Sequence, residues 1–299
     1  MSNGMRNSLL TLGLALALGA SALPSRAATI ILSTESDAVL GVNALAFTPG
    51  DLVAYDMATG MASLYFDGAA RFGEARNLNV VDILANDDIV LSVQDSGNST
   101  LGGQVFEDGD LVRYTPATDT AVRIFQEDLS FAGSEDIFAV DVLPNGHILL
   151  STQGDATIGL LSFDAGTLVD FDPVTGTAVE FFNVDTIFDD DNENVDGFHI
   201  TADGHYLIST TGSARRASED FTGGNSFQDG DIIQYDPVGN VTSRFFSESA
   251  FAGDADINAI ALLEEPASHP VPEPGALTLF GLGLAICRAG ISQRKTQDR

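Results

Sequence analysis

Four segments of the chain align on their first residue: NLNVVDILANDDIVLSVQD from Asn77, DIFAVDVLPNGHILLSTQG from Asp136, NVDGFHITADGHYLISTTG from Asn194 and DINAIALLEE from Asp256. The alignment puts Asn77, Asp136, Asn194 and Asp256 at one position, and Asn79, Phe138, Asp196 and Asn258 two residues later. Hard cations such as Ca²⁺ take about six to eight oxygens from carboxylates, amide and main-chain carbonyls and water. If the four segments converge on one ring, Asn77, Asp136, Asn194 and Asp256, with Asp196 beside them, are a candidate Ca²⁺ site. A second account also fits. Asp and Asn open strands because their side chains hydrogen-bond the nearby backbone, with no ion involved. The sequence leaves both open.

A denser acidic stretch, FDDDNENVDG, carries Asp189, Asp190, Asp191, Glu193 and Asp196. It lacks the alternating ligands and central Gly of an EF-hand loop and reads as a solvated loop. His147 and His205 follow tight turns at equivalent positions, and His199 lies in an apolar strand, where it reads as a satisfied core histidine. No HExxH, nucleophile elbow or phosphate-binding glycine loop is present. Ser151 and Ser209 recur because their strand recurs. The residues therefore predict no catalytic set.

The elements that would position the ring are repeats. GDLVAYDMATGMASLYF begins at Gly50, GDLVRYTPATDTAVRIF at Gly109, GTLVDFDPVTGTAVEFF at Gly166 and GDIIQYDPVGNVTSRFF at Gly230. Each joins two β-branched and aromatic runs through a turn rich in Asp, Pro, Thr and Gly, which is the pattern of a β-hairpin. The segments aligned above are a second hairpin, with Asn145-Gly146 and Asp203-Gly204 as tight-turn dipeptides. Their ILLS and YLIS runs are apolar on both faces, so these strands need cover on both sides.

The ends of the body are complementary. TIILSTES, from Thr29, matches the second strand of that hairpin, and DINAIALLEE matches the first. Together they complete one hairpin, which predicts a closed ring of four four-stranded sheets: an all-β, four-bladed β-propeller closed by its N- and C-terminal strands. Phe47, Phe106, Phe163 and Phe227 mark the repeats at intervals of 59, 57 and 64 residues. An open array or a two-sheet sandwich of the same hairpins is the alternative. The wording of the hairpins across residues 29–265 resembles NHL and lactonase-like propeller repeats; that resemblance implies a fold and leaves function open.

The net charge is −30, and between positions 28 and 270 seven arginines and no lysine face 41 acidic residues. Such a surface repels nucleic acid and acidic lipid and favours cations or cationic partners. With 44% hydrophobic residues and 19 Phe the chain has material for a core. The single cysteine, Cys287, excludes an intramolecular disulfide.

The two ends address the protein. Residues 1–27 show Arg6, an apolar run from Leu9 to Ala20 and small residues that place cleavage after Ala22 or Ala27, the three parts of a secretory signal read by signal peptidase. An uncleaved anchor is the alternative, and either form exports the body. After residues 28–265 and a linker at 266–270, the tail 271–299 holds Val271-Pro272-Glu273-Pro274. An apolar stretch of 13 residues from Gly275 to Cys287 follows, then Arg288, Arg294 and Lys295. The stretch is shorter than the roughly 20 residues of a spanning helix. This order of parts resembles the PEP-CTERM sorting signal, although its basic residues are more spread out. The resemblance implies processing by an exosortase-type membrane enzyme, transient anchoring of the C-terminal helix in the inner membrane, and delivery to the cell surface or an exopolysaccharide matrix. A plain single-pass anchor is the other reading of the tail. The sequence thus leads to a non-enzymatic surface or matrix protein. Its rivals are a metal-dependent lactonase- or esterase-like hydrolase and a Ca²⁺-binding module without turnover.

Overall fold

The computed structural model describes residues 28–94, 97–133, 135–188, 194–215 and 226–263. The signal segment, Asp189 to Glu193, residues 216–225, the linker and the sorting tail lie outside them. The described chain is a four-bladed β-propeller. From the axis outward, the first blade consists of Ile257–Leu263, Thr29–Thr34, Leu52–Asp56 and Met61–Phe66. The second is Leu78–Ile83, Ile89–Val93, Leu111–Thr115 and Thr120–Phe125, and the third Ile137–Val142, Ile148–Thr152, Thr167–Asp172 and Thr177–Asn183. The fourth is Val195–Ile200, Tyr206–Thr210, Ile232–Asp236 and Val241–Phe246. All pairings within the blades are antiparallel, and each innermost strand packs against those of both neighbouring blades. The expected closure is present: Thr29 pairs with Leu263 and Leu32 with Ile260.

Doubly apolar strands serve two cores at once. Ile30 and Leu32 point into the core between the fourth and first blades, whereas Ile31 between them points into the core shared with the second. Two further cores fill the remaining boundaries, so every blade is covered on both faces. The hairpin turns behave as their residues require. Gly146 and Gly204 adopt φ of 88° and 83°, and in the degenerate second copy Asp87 takes that place at 65°.

The Gly-Asp that opens three of the long hairpins has a structural task. Asp51, Asp110 and Asp231 are buried, and each carboxylate accepts the backbone N–H three residues before it and another just beyond the outer strand. Arg123 and Arg244 neutralise Asp110 and Asp231 at 2.7 and 3.1 Å. In the third blade, Thr167 takes the Asp position.

Small hairpins, Ala38–Leu40 with Leu45–Phe47, Ser99–Leu101 with Gln104–Phe106, and Ala156–Ile158 with Leu161–Phe163, join the second and third strands of three blades. Among the described residues helices are one or two turns long, and none is long and apolar enough to cross a membrane.

Candidate functional site

Each innermost strand breaks register at the same place. Leu78 faces Val93 and Val80 faces Ser92, so Asn79 has no partner opposite. Phe138, Asp196 and Asn258 are skipped in the same way. A β-bulge re-aims the extra side chain and raises the local twist, and here four bulges turn four equivalent side chains to one mouth of the central channel. Those residues, 2, 7, 3 and 7% exposed in chain order, line a cavity of about 320 Å³.

The cavity is oxygen-rich on three sides and apolar on the fourth. It is lined by Asn79, Asp196, Asn258, Asn194, Asp256 and Glu35, with Phe138 opposite. Glu35, Gln94, Gln153 and Thr211 form its rim. They are equivalent residues leaving the second strand of each blade, and their N–H groups donate to the carbonyls of Asp256, Asn77, Asp136 and Asn194. The repeated endings STE, SVQ, STQ and STT carried that signal, which the reading of the inner strands alone missed.

Of the predicted ligands, the fold brings Asn194, Asp196 and Asp256 into the cavity wall. Asn77 and Asp136 stand behind it. The Asn77 amide donates to Gln94 at 3.1 Å, and Asn77 Oδ1 accepts from Asn258 at 3.4 Å. Asp136 Oδ1 accepts from Asn79 at 3.3 Å, and the same Asn79 amide donates to the Ile137 carbonyl at 2.8 Å. With their amide nitrogens so engaged, the side-chain oxygens of Asn79 and Asn258 are buried without a hydrogen-bond partner, as is Oδ1 of Asp256. Buried acceptors of this kind are uncommon and costly unless a cation or water meets them.

The carboxylates strain against one another. Burial, then the nearby Asp196 and a hydrogen bond with Glu35, push Asp256 up to about 9. Burial also raises Asp196 well above the usual range against the opposing hydrogen bond from Ser209, 2.7 Å long. Asp136 is raised to about 7 by burial and then by Asp108. A divalent ion would replace the protons that this cluster otherwise retains.

The remaining candidates settle into the fold. Ser33 and Ser151 donate to the carbonyls of Pro49 and Val195, and all four equivalent serines, Ser92 and Ser209 included, are fully buried. His147 contacts Asp170 at 2.7 Å. His199 departs from expectation: it is buried, yet neither ring nitrogen has a hydrogen-bond partner.

Residues 270–295 match the PEP-CTERM protein-sorting motif. That motif implies export, handling by an exosortase-type enzyme and association with the cell envelope. No curated protein matches the chain. Similar solved structures include a protein from Lactobacillus plantarum, 10% identical over 80% of this chain and 100% of that one, TM-score 0.41. A protein of unknown function from Bacteroides caccae is 12% identical over 80% and 100%, TM-score 0.39. A catalytically inactive virginiamycin B lyase from Staphylococcus aureus, crystallised with quinupristin, is 9% identical over 82% and 72%, TM-score 0.31.

Proposed function

We propose that this chain is an exported, non-enzymatic Ca²⁺-binding propeller of the cell surface or extracellular matrix. In this reading the tail holds it briefly at the inner membrane until an exosortase-type enzyme releases it. The cation at the channel mouth neutralises Asp196, Asp256 and Glu35 and orders the rim for contact with exopolysaccharide or another surface component. The observation that carries the reading is the bulge repeated in all four inner strands, which aims Asn79, Asp196 and Asn258 at one cavity. Mixed carboxylate and amide oxygens around an irregular cavity suit the flexible coordination of Ca²⁺ better than the strict octahedron of Mg²⁺.

Titration calorimetry on the full-length chain tests the binding. One Ca²⁺ per chain is expected, with affinity lowered at least tenfold in Asp196→Asn and Asp256→Asn. Unchanged affinity in both variants contradicts the site. Hydrolysis of lactones or esters that appears with divalent metal and disappears in the same variants would overturn the non-enzymatic part. Removal of residues 271–299 should shift the protein out of the envelope and matrix fractions.

A further inference from the structure

Three residues beyond each bulge, the aligned position holds Asp82, Asp141, His199 and Ala261. In a regular strand, residues three apart fall on opposite faces. The bulge adds one residue and cancels that alternation. Asn79 and Asp82 therefore both reach the next inner strand, Asn79 to the Ile137 carbonyl and Asp82 to the Val142 N–H. The register gathers one side chain from each of three blades, and ligand atoms of Asp82, Asp141 and His199 all lie within 4.8 Å of one another.

The carboxylates are held in place. Oδ2 of Asp82 accepts the Val142 N–H at 2.9 Å, and Oδ2 of Asp141 accepts the Ile200 N–H at 2.9 Å, the same bond one blade further on. His199 is 8% exposed, and neither buried ring nitrogen has a hydrogen-bond partner. Asp141 Oδ1 stands 3.7 Å from its Nδ1, beyond hydrogen-bond reach. An imidazole desolvated on both nitrogens costs free energy that a ligand in the cluster would recover. An imidazole in its neutral form offers a lone pair to a metal ion.

We propose that Asp82, Asp141 and His199 form a buried transition-metal site, with Zn²⁺ as occupant, that ties together the inner strands of three blades. The site is separate from the channel mouth and of a different class. Ca²⁺ takes oxygen, whereas a neutral imidazole beside two carboxylates is a ligand set for Zn²⁺. Ligand atoms on a common ion, each about 2 Å from it, lie closer together than 4.8 Å. Binding therefore draws the imidazole towards the two anchored carboxylates. In the first blade Ala261 supplies no ligand, which leaves the fourth position to water.

The test uses the full-length chain stripped with chelator and loaded with Co²⁺, whose visible absorption reports a four-coordinate site. One equivalent should bind, Zn²⁺ should displace it, and His199→Gln should lose at least tenfold in affinity, while Asp256→Asn at the mouth should bind as before. Should His199→Gln not fold, X-ray absorption of the wild-type Zn²⁺ protein decides, with one imidazole per ion expected. Absence of the band, its survival in a folded His199→Gln, or a spectrum without imidazole overturns the site.

Discussion

The ring of Phe246 stands edge-on to that of Tyr55, centroids 5.2 Å apart and planes at 83°, across the seam where the fourth blade meets the first. Rings at the same two positions meet at the other three boundaries, edge-on between Phe66 and Tyr114 at 5.9 Å and between Phe125 and Phe171 at 5.1 Å, and stacked between Phe182 and Tyr235 at 5.5 Å. In each case the aromatic that ends one long hairpin packs on the aromatic in the third strand of the next blade. Ring closure is thus one more copy of a contact already made three times.

Phe246 is buried, so Phe246→Ala should lower unfolding stability by about 3–5 kcal/mol. A double-mutant cycle with Tyr55→Ala in urea unfolding should recover about 0.5–1.5 kcal/mol of coupling. Coupling near zero would mean that the seam is held by the rest of its apolar core, Ile30, Leu32, Leu207 and Ile232 among it, and not by this pair of rings.

Asp231 accepts the N–H groups of Gln228 and Glu248 and pairs with Arg244 while itself 2% exposed. Asp231→Ala strands those donors and leaves the arginine unpaired, so it should cost about 3 kcal/mol or more in denaturant unfolding. Asp51 performs the same task without an arginine partner among its described ion pairs, and Asp51→Ala should cost less.

At Gly197 an added Cβ would lie 2.4 Å from Ser209 Oγ and 2.9 Å from Ile260 Cγ1. This glycine directly follows the bulged Asp196, and the close approach of the fourth and first blades requires it. Gly197→Ala should destabilise by about 1–3 kcal/mol through overpacking and weaken Ca²⁺ binding, both measurable by thermal unfolding with and without the ion.

Much of this architecture was legible because repeats expose what single strands hide. The half-hairpins at Thr29 and Asp256 announced closure, and the repeated GDLV-type runs gave the blades. The aligned Asp and Asn positions located the channel mouth, but sequence alignment could not tell first from third residue. A bulge is a register shift between strands, invisible in either strand alone, and it turned Asn79 and Asn258 inward while leaving Asn77 and Asp136 behind them. His199 was misread for a related reason. An apolar strand predicts burial, whereas whether a buried ring finds a partner depends on residues of other blades. The buried task of Asp51, Asp110 and Asp231 was likewise hidden, since Gly-Asp reads as an ordinary turn.

The metal-free mouth should make stability fall as pH rises. Asp256 and Asp136, raised to about 9 and about 7, keep protons in the folded state that the unfolded chain gives up near pH 4. The folded state then binds more protons between those values, so stability is greatest near the lower end of that window and declines towards pH 9. In EDTA the unfolding midpoint should drop across it. With Ca²⁺ present the drop should flatten, and the stabilisation by the ion should be larger at pH 8 than at pH 5.

The most direct test is thermal unfolding of the full-length chain at pH 8 in EDTA, in Mg²⁺ and in Ca²⁺. A midpoint raised by several degrees in Ca²⁺ and little in Mg²⁺ is predicted, with the difference lost in Asp196→Asn, since an ion that binds only the folded state stabilises it by mass action. Three coincident midpoints would contradict the account, and the four bulges would then serve the packing of the channel alone.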